Sequence, residues 1–421
     1  MPEDRGGGAV HAIQSRLVPV LSRITDNVYL SAIRAGMVAV VPLTIVGGLF
    51  MIVAHLPVSG WDDRIAPYRA VLEIPVAATF GVLALVACFA IAHDLGRQQK
   101  QEAMQSALIA TVVFLLIQLE PGGTLAFDGL GSHGLFTAIL VALISVSVQR
   151  FFTEARLVIR MPSSVPAVVA QSFLSIVPLA VLIVGFWIVR FVWGLDINAV
   201  VQTAFSPLVF ALNTLPGILT YALVVTMLWS VGINGDNAVD AVVAPIFLQY
   251  LAANVEATSA GQPLPYITAN GFFTTFVNVG GTGATIALAL VLWRSADAGF
   301  RKVSRMSLPT QVFQINEPIF FGLPIVLNPI LMIPYILTAL ILTASGYLLM
   351  SMNLIGRPVV NVPWTTPPIV GHYLVSGGDW RAAVWGVASI GLAMMVYYPF
   401  ARAAERQRLR AAQDLVSAGA S

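Results

Sequence analysis

A glutamate lies between an asparagine and a proline at Asn316-Glu317-Pro318, inside a segment from Gln314 to Pro324 that is otherwise mostly apolar. A carboxylate can accept hydrogen bonds from hydroxyl groups or take a proton from one. At membrane depth it is costly, and it marks a functional site by default. Pro318 and Pro324 interrupt helix, and interrupted backbone at that depth is tolerated only where it lines a cavity or is buried in protein. The segment therefore predicts a polar binding site holding Asn316 and Glu317, with Glu317 as a candidate catalytic base and its carboxylate desolvated. The competing readings are a pair with a loop arginine such as Arg305, or a proton carrier.

A second constellation is Trp229-Ser230-Val231-Gly232-Ile233-Asn234-Gly235-Asp236-Asn237. Amides and carboxylates match the paired donors and acceptors of a polyhydroxylated ligand, so Asn234 and Asp236 are candidate ligands, with Asp240 nearby. The alternative is a polar helix cap and turn. Two interrupted apolar stretches, 262–283 and 361–372, supply the rest. Gly281 and Thr282 in Gly280-Gly281-Thr282-Gly283 offer close backbone approach and a hydroxyl. Trp364, Thr365 and Thr366 offer an indole face and two hydroxyls, and His372 is a neighbour of that segment. Trp364 can equally be an interface anchor. Both stretches read as re-entrant hairpins around a polar site, or else as extramembrane loops. The glycine run lacks the lysine and preceding strand of a phosphate loop. No histidine pair has metal-ligand spacing, and no metal or cofactor is expected.

These residues are positioned by a membrane protein. The 421 residues are 57% hydrophobic and 10% charged, with mean hydropathy +0.84, whereas soluble domains carry about 25% charged residues. A formal net charge of +2 gives no reason to expect a nucleic-acid partner. The single cysteine, Cys88, sits in an apolar run and reads as inert. No cleavable signal peptide is expected, because the first long apolar run starts only after Arg34. Spans of roughly 20 residues are predicted near 35–55, 72–93, 103–119, 134–149, 174–193, 215–233, 239–254, 278–293, 323–349 and 382–400. The seventh, with Asp240 and Pro245, is expected to be short or bent. The fold class is thus an all-α polytopic membrane protein of about ten transmembrane helices with two re-entrant hairpins.

An even count puts both termini on one side. Arg16, Arg23 and Arg34; Arg97 and Lys100; Arg150, Arg156 and Arg160; Arg294 to Arg305; and Arg402 to Arg410 all fall there by parity. The positive-inside rule makes that side cytoplasmic. The stretch 155–178, with prolines at 162, 166 and 178, reads as an amphipathic connection. It divides the chain into a scaffold half, 1–170, and a transport half, 171–421, that holds nearly all the candidate residues.

The run Asn316-Glu317-Pro318-Ile319-Phe320-Phe321-Gly322-Leu323-Pro324-Ile325-Val326-Leu327-Asn328-Pro329 resembles the signature of the membrane IIC (EIIC) component of the bacterial sugar phosphotransferase system, lactose/cellobiose (N,N′-diacetylchitobiose) group. Trp229–Asn237, Phe272–Gly283 and Val362–Pro368 are similar to further motifs of that family, in the same order. The resemblance implies a homodimer of the EIIC glucose superfamily. The N-terminal half would make the dimer, and the C-terminal half would bind a sugar and move it by alternating access. It also implies that Glu317 contacts the hydroxyl to be phosphorylated, and that a cytoplasmic EIIB, charged through EIIA, donates the phosphoryl group from a phosphocysteine. The sugar implied is a β-linked disaccharide such as cellobiose or diacetylchitobiose. Cys88 lies in a membrane helix and cannot be that cysteine, so EIIB and EIIA are expected as separate proteins. Where the family has Gly-Ile-His-Gly, this chain has Gly232-Ile233-Asn234-Gly235. An amide keeps hydrogen bonding but cannot take a proton. That departure keeps open a phosphorylation-independent carrier or secondary transporter on the same scaffold, or a sugar sensor.

Overall fold

The computed structural model describes residues 27–55, 60–159, 161–162, 165–166, 173–323, 325–326 and 328–419. Arg16, Arg23, Arg160, Pro324, Leu327 and much of the predicted amphipathic connection lie outside them. Among the described residues the protein is helical without a strand; one isolated bridge joins Leu119 and Leu125.

The first half packs α1 (Val28–Ala54) against α3 (Arg69–Phe80) and α4 (Leu83–Gln98), with α2 (Trp61–Ile65) as a short link. α5 (Ala103–Ile117) and α6 (Leu135–Glu154) complete this layer against α4. Small residues permit the close approach: Ala32, Ala84, Ala87, Cys88, Ala92 and Ala110 are fully buried, so packing and dispersion hold the helices together where lipid offers no hydrophobic drive. The predicted span 72–93 is found with a break at Gly81 between α3 and α4.

The second half begins with α7 (Ile176–Trp187), which continues as a wider turn to Val192. It then bends by 86° into α8 (Ile197–Leu212). No span is predicted at α8, whose 16 residues fall short of the roughly 20 that a span needs. α9 (Leu215–Ser230) leads to α10 (Gly235–Ser259). The expectation of a short helix there is corrected: α10 runs 25 residues and continues through Pro245. Pro245 is buried, and tertiary packing holds the helix through the lost hydrogen bond. The chain then forms α11 (Thr285–Leu292), α12 (Ala298–Gln311), α13 (Glu317–Gly322), α14 (Pro329–Ser351), α15 (Pro368–Val375) and the 40-residue α16 (Trp380–Gly419). The span predicted from 323 starts six residues later, where Asn328 caps α14 by accepting from the Ile330 amide at 3.1 Å.

Among the described residues, seven helices are long and apolar enough to cross a membrane, eight if the bent pair counts as one span. α5 and α9 are apolar but shorter. Between the long helices, buried side chains satisfy the irregular backbone that hydrocarbon would leave unpaired. Asn254 of α10 donates to the carbonyls of Tyr266 and Pro358, each at 2.8 Å, and accepts from the Tyr266 amide at 3.0 Å. Asn361 donates to Thr44 Oγ1 at 2.7 Å, a buried bond from the loop before α15 to α1. Tyr397 of α16 donates to the Gly283 carbonyl at 2.7 Å.

Candidate functional site

Five pieces of the chain converge on one polar cavity of about 460 Å³. α9 delivers Trp229 at its end, and α10 opens with Asn234, Asp236 and Asp240 facing inward. The segment before α11 brings Asn278, Gly281 and Thr282; the link into α13 brings Gln314, Asn316 and Glu317; the loop before α15 brings Trp364.

The start of α10 is set by its own cap. Asn234 Oδ1 accepts from the Asn237 amide at 2.9 Å, a bond typically worth about 1 kcal/mol to a helix. At Gly235 a Cβ would stand 2.1 Å from the Val225 carbonyl oxygen, so glycine lets α10 begin against α9. With its oxygen engaged, Asn234 presents chiefly its amide N–H groups to the cavity. Asp236, in the first turn of α10, is a strut. Its Oδ2 accepts from Trp229 Nε1 at 2.8 Å and from Thr282 Oγ1 at 2.9 Å, and its Oδ1 lies 3.5 Å from Asn278 Nδ2. One carboxylate thereby joins α9, α10 and the glycine segment.

A second strap comes from Gln314. Its Oε1 accepts from the amides of Gly280 at 2.6 Å and Gly281 at 3.0 Å, while Asn316 Nδ2 donates to the Thr282 carbonyl at 3.0 Å. Gly281 has φ +103°, and a Cβ there would lie 2.4 Å from Asn316 Cβ. Both the left-handed backbone and the contact require glycine. The strap fixes the approach to Glu317, the first residue of α13. The expectation of a desolvated carboxylate is corrected here. Glu317 is exposed to the cavity, because it starts a short helix whose first residue points into open space rather than into packed neighbours. It has no ion-pair partner among the described residues; Arg305 instead lies over the Trp293 ring at 5.4 Å.

Asn234, Asp236, Gly281, Thr282, Asn316, Glu317 and Trp364 all border the cavity; Thr365, Thr366 and His372 do not. Thr366 donates its hydroxyl to the Pro363 carbonyl at 2.7 Å, closing the turn that presents Trp364, which is 61% exposed. His372 is buried on α15, with Nδ1 2.5 Å from the Pro368 carbonyl and its ring edge-on to Phe276. Sequence reasoning assigns no role to Gln314, Asn278, Thr274 or Asn237, which also border the cavity. Gln314 and Asn278 carry a readable signal, a lone amide beside a helix break. Three carboxylates border the cavity and no lysine, arginine or histidine does, among the described residues. The cation that acts on Asp240 is Arg34 of α1, whose Nε and Nη2 have no hydrogen-bond partner among the described residues.

A cavity of amides, carboxylates and one open indole suits a polyhydroxylated ligand, and comparison with known proteins agrees. The family model described as "Phosphotransferase system, EIIC" matches residues 34–339. The chain belongs to the EIIC family of the phosphotransferase system. It is 33% identical to the lichenan permease IIC component of Bacillus subtilis (strain 168), covering 96% of this chain and 95% of that protein. It is likewise 33% identical to the cellobiose-specific EIIC component of Geobacillus stearothermophilus, over 98% of each. Its fold is similar to the crystal structure of ChbC, the IIC component of the N,N′-diacetylchitobiose-specific phosphotransferase system. That match has a TM-score of 0.90 and 32% identity, over 95% of this chain and 99% of that one. This EIIC is therefore an all-helical, multi-pass membrane protein that serves as the sugar permease of a phosphotransferase system.

Proposed function

We propose that this EIIC binds a β-linked disaccharide in the cavity between α9, α10 and α13 and moves it inward by alternating access, for phosphorylation by separate EIIB and EIIA proteins. The observation that carries this reading is the cavity itself. It has an exposed indole at Trp364 for a pyranose face, amide donors at Asn234, and an open carboxylate at Glu317. Cellobiose and N,N′-diacetylchitobiose, for which two of the relatives are named, are both β-linked disaccharides. In the transfer step the sugar hydroxyl attacks the phosphorus of the EIIB phosphocysteine. The O–P bond forms as the S–P bond breaks, the thiolate stays on EIIB, and Glu317 takes the hydroxyl proton. We further read residues 1–170 as a scaffold and homodimer half and 171–421 as the transport half. The ten spans comprise the long helices, the bent pair and the shorter α5 and α9, with lipid around them.

The test is the chemical state of accumulated sugar. Cells expressing the chain with candidate EIIA and EIIB proteins should accumulate phosphorylated disaccharide only when both partners are present. Unmodified sugar entering without them would instead establish the carrier reading. The same departure gives a sharper result. Asn234→His should keep sugar affinity within about fivefold, since a lost cap costs about 1 kcal/mol, and should raise the phosphorylation rate by restoring a protonatable group. Loss of binding would show a pocket diverged for another ligand.

Orientation is checked with cysteines. Cys88 is fully buried, so an introduced thiol is the reactive one. Gln262→Cys should react with an impermeant maleimide in intact cells, and Arg406→Cys only after permeabilisation. The reverse pattern would invert the topology.

A further inference from the structure

The largest cavity among those described, about 710 Å³, lies at the opposite end of α10 from the sugar pocket. Asp240 borders the inner cavity and Thr258 the outer one, and at 1.5 Å per residue they stand about 27 Å apart along the helix. The outer cavity is walled by α1 at Met51 and His55, by Gln262 after α10, and by Asp379, Trp380 and Arg381 at the start of α16. It spans the seam between the two halves, on the face away from the arginine clusters.

Its chemistry is preorganised. Asp379 accepts from the Gly356 amide at 2.7 Å and from the Arg381 amide at 3.0 Å, and Arg381 Nε reaches both its carboxylate oxygens, at 2.9 and 3.2 Å. Partial burial pushes the Asp379 carboxyl up, but the bonds from Arg381 and Gly356 outweigh it and hold it below the usual carboxylate range; the pair stays charged at neutral pH. The guanidinium is therefore held in place, with Nη1 also donating to the Asn353 carbonyl at 3.4 Å, and Nη2 is the donor left to meet a ligand. Next to it, Trp380 borders the cavity while 68% exposed. An indole face beside a fixed planar donor group and an amide, in a volume within the roughly 300–1,000 Å³ of ligand pockets, fits a pyranose ring and its vicinal hydroxyls.

We propose that this outer cavity is a second glycan site, at which Trp380, Arg381 and Gln262 capture the disaccharide before it reaches the inner pocket. The proposal rests on the β-disaccharide reading above. It makes Trp380 a determinant of uptake at low sugar concentration.

The experiment is equilibrium binding of radiolabelled cellobiose, lactose and N,N′-diacetylchitobiose to the full chain in lipid nanodiscs, paired with uptake in cells. Wild type should show two classes of site for the transported sugar. Trp380→Ala should remove the weaker class alone and raise the half-saturating concentration for uptake about tenfold, the equivalent of one lost stacking contact, with the maximal rate unchanged. Trp380→Phe should restore much of it, and Trp364→Ala should remove the tighter class alone. A single class of site in wild type, kept in Trp380→Ala with unchanged half-saturation, overturns the outer site and leaves the inner reading standing. No binding of any of the three sugars to any variant overturns the disaccharide reading, and the outer site with it.

Discussion

Glu317→Gln is expected to reduce sugar phosphorylation by about 10²- to 10⁴-fold, the usual contribution of a positioned general base, while sugar affinity changes little. Glutamine keeps the length and one acceptor oxygen, and a sugar hydroxyl can donate or accept. What glutamine cannot do is take the proton that leaves as the O–P bond forms. The position suits this role, because Glu317 opens to the cavity at the head of α13 and is spent on no ion pair among the described residues. Binding of labelled sugar and formation of sugar phosphate, measured on the same preparation with EIIA and EIIB, separate the two effects. Equal affinity and equal turnover in the variant would remove Glu317 from the mechanism.

The second large effect is at Asp236. Asp236→Ala takes the acceptor from Trp229 Nε1 and Thr282 Oγ1, and both of those residues are buried at 6% exposure. Each orphaned buried donor costs about 1–3 kcal/mol. The wall that carries the indole edge and the glycine segment should loosen, and sugar affinity should fall by at least about thirtyfold, the equivalent of about 2 kcal/mol at the low end of two such costs. Asp236→Asn should recover most of the loss. Its oxygen keeps the indole bond, and Asn278, whose Oδ1 has no partner among the described residues, can turn its amide to meet the new N–H. An asparagine variant as impaired as the alanine one would mean that the charge itself touches the ligand, rather than bracing the wall.

These two residues show what the chain discloses before it folds. A helix breaker next to a polar group in apolar sequence is visible at Asn316-Glu317-Pro318, in the glycines from 280 to 283 and beside Trp364, and all three places border one cavity. The strut is not visible, because Asp236 meets Trp229 seven positions back and Thr282 forty-six ahead; only the crossing of α9, α10 and the glycine segment brings them together. The same holds for His372, whose neighbours give no polar signal and which packs among Phe276 and Pro368. Among the helices, long apolar runs such as α1 and α14 declare themselves. α8 does not, since its 16 residues are too few for a span of their own and it follows α7 only through the 86° bend. α10 extends beyond its apolar stretch because Asn234 supplies a cap and neighbours hold Pro245.

The bond from Asn361 to Thr44 links the loop beside Trp364 to the first helix, out of reach of water. Any stroke that slides this loop past α1 must break it. A neutral hydrogen bond contributes about 1 kcal/mol net, which weights the two arrangements by a factor of about five. By itself, so small a bias would leave both arrangements populated at ambient temperature. As far as this bond is concerned, the direction of net flow is left to the chemistry that removes free sugar on the inner side.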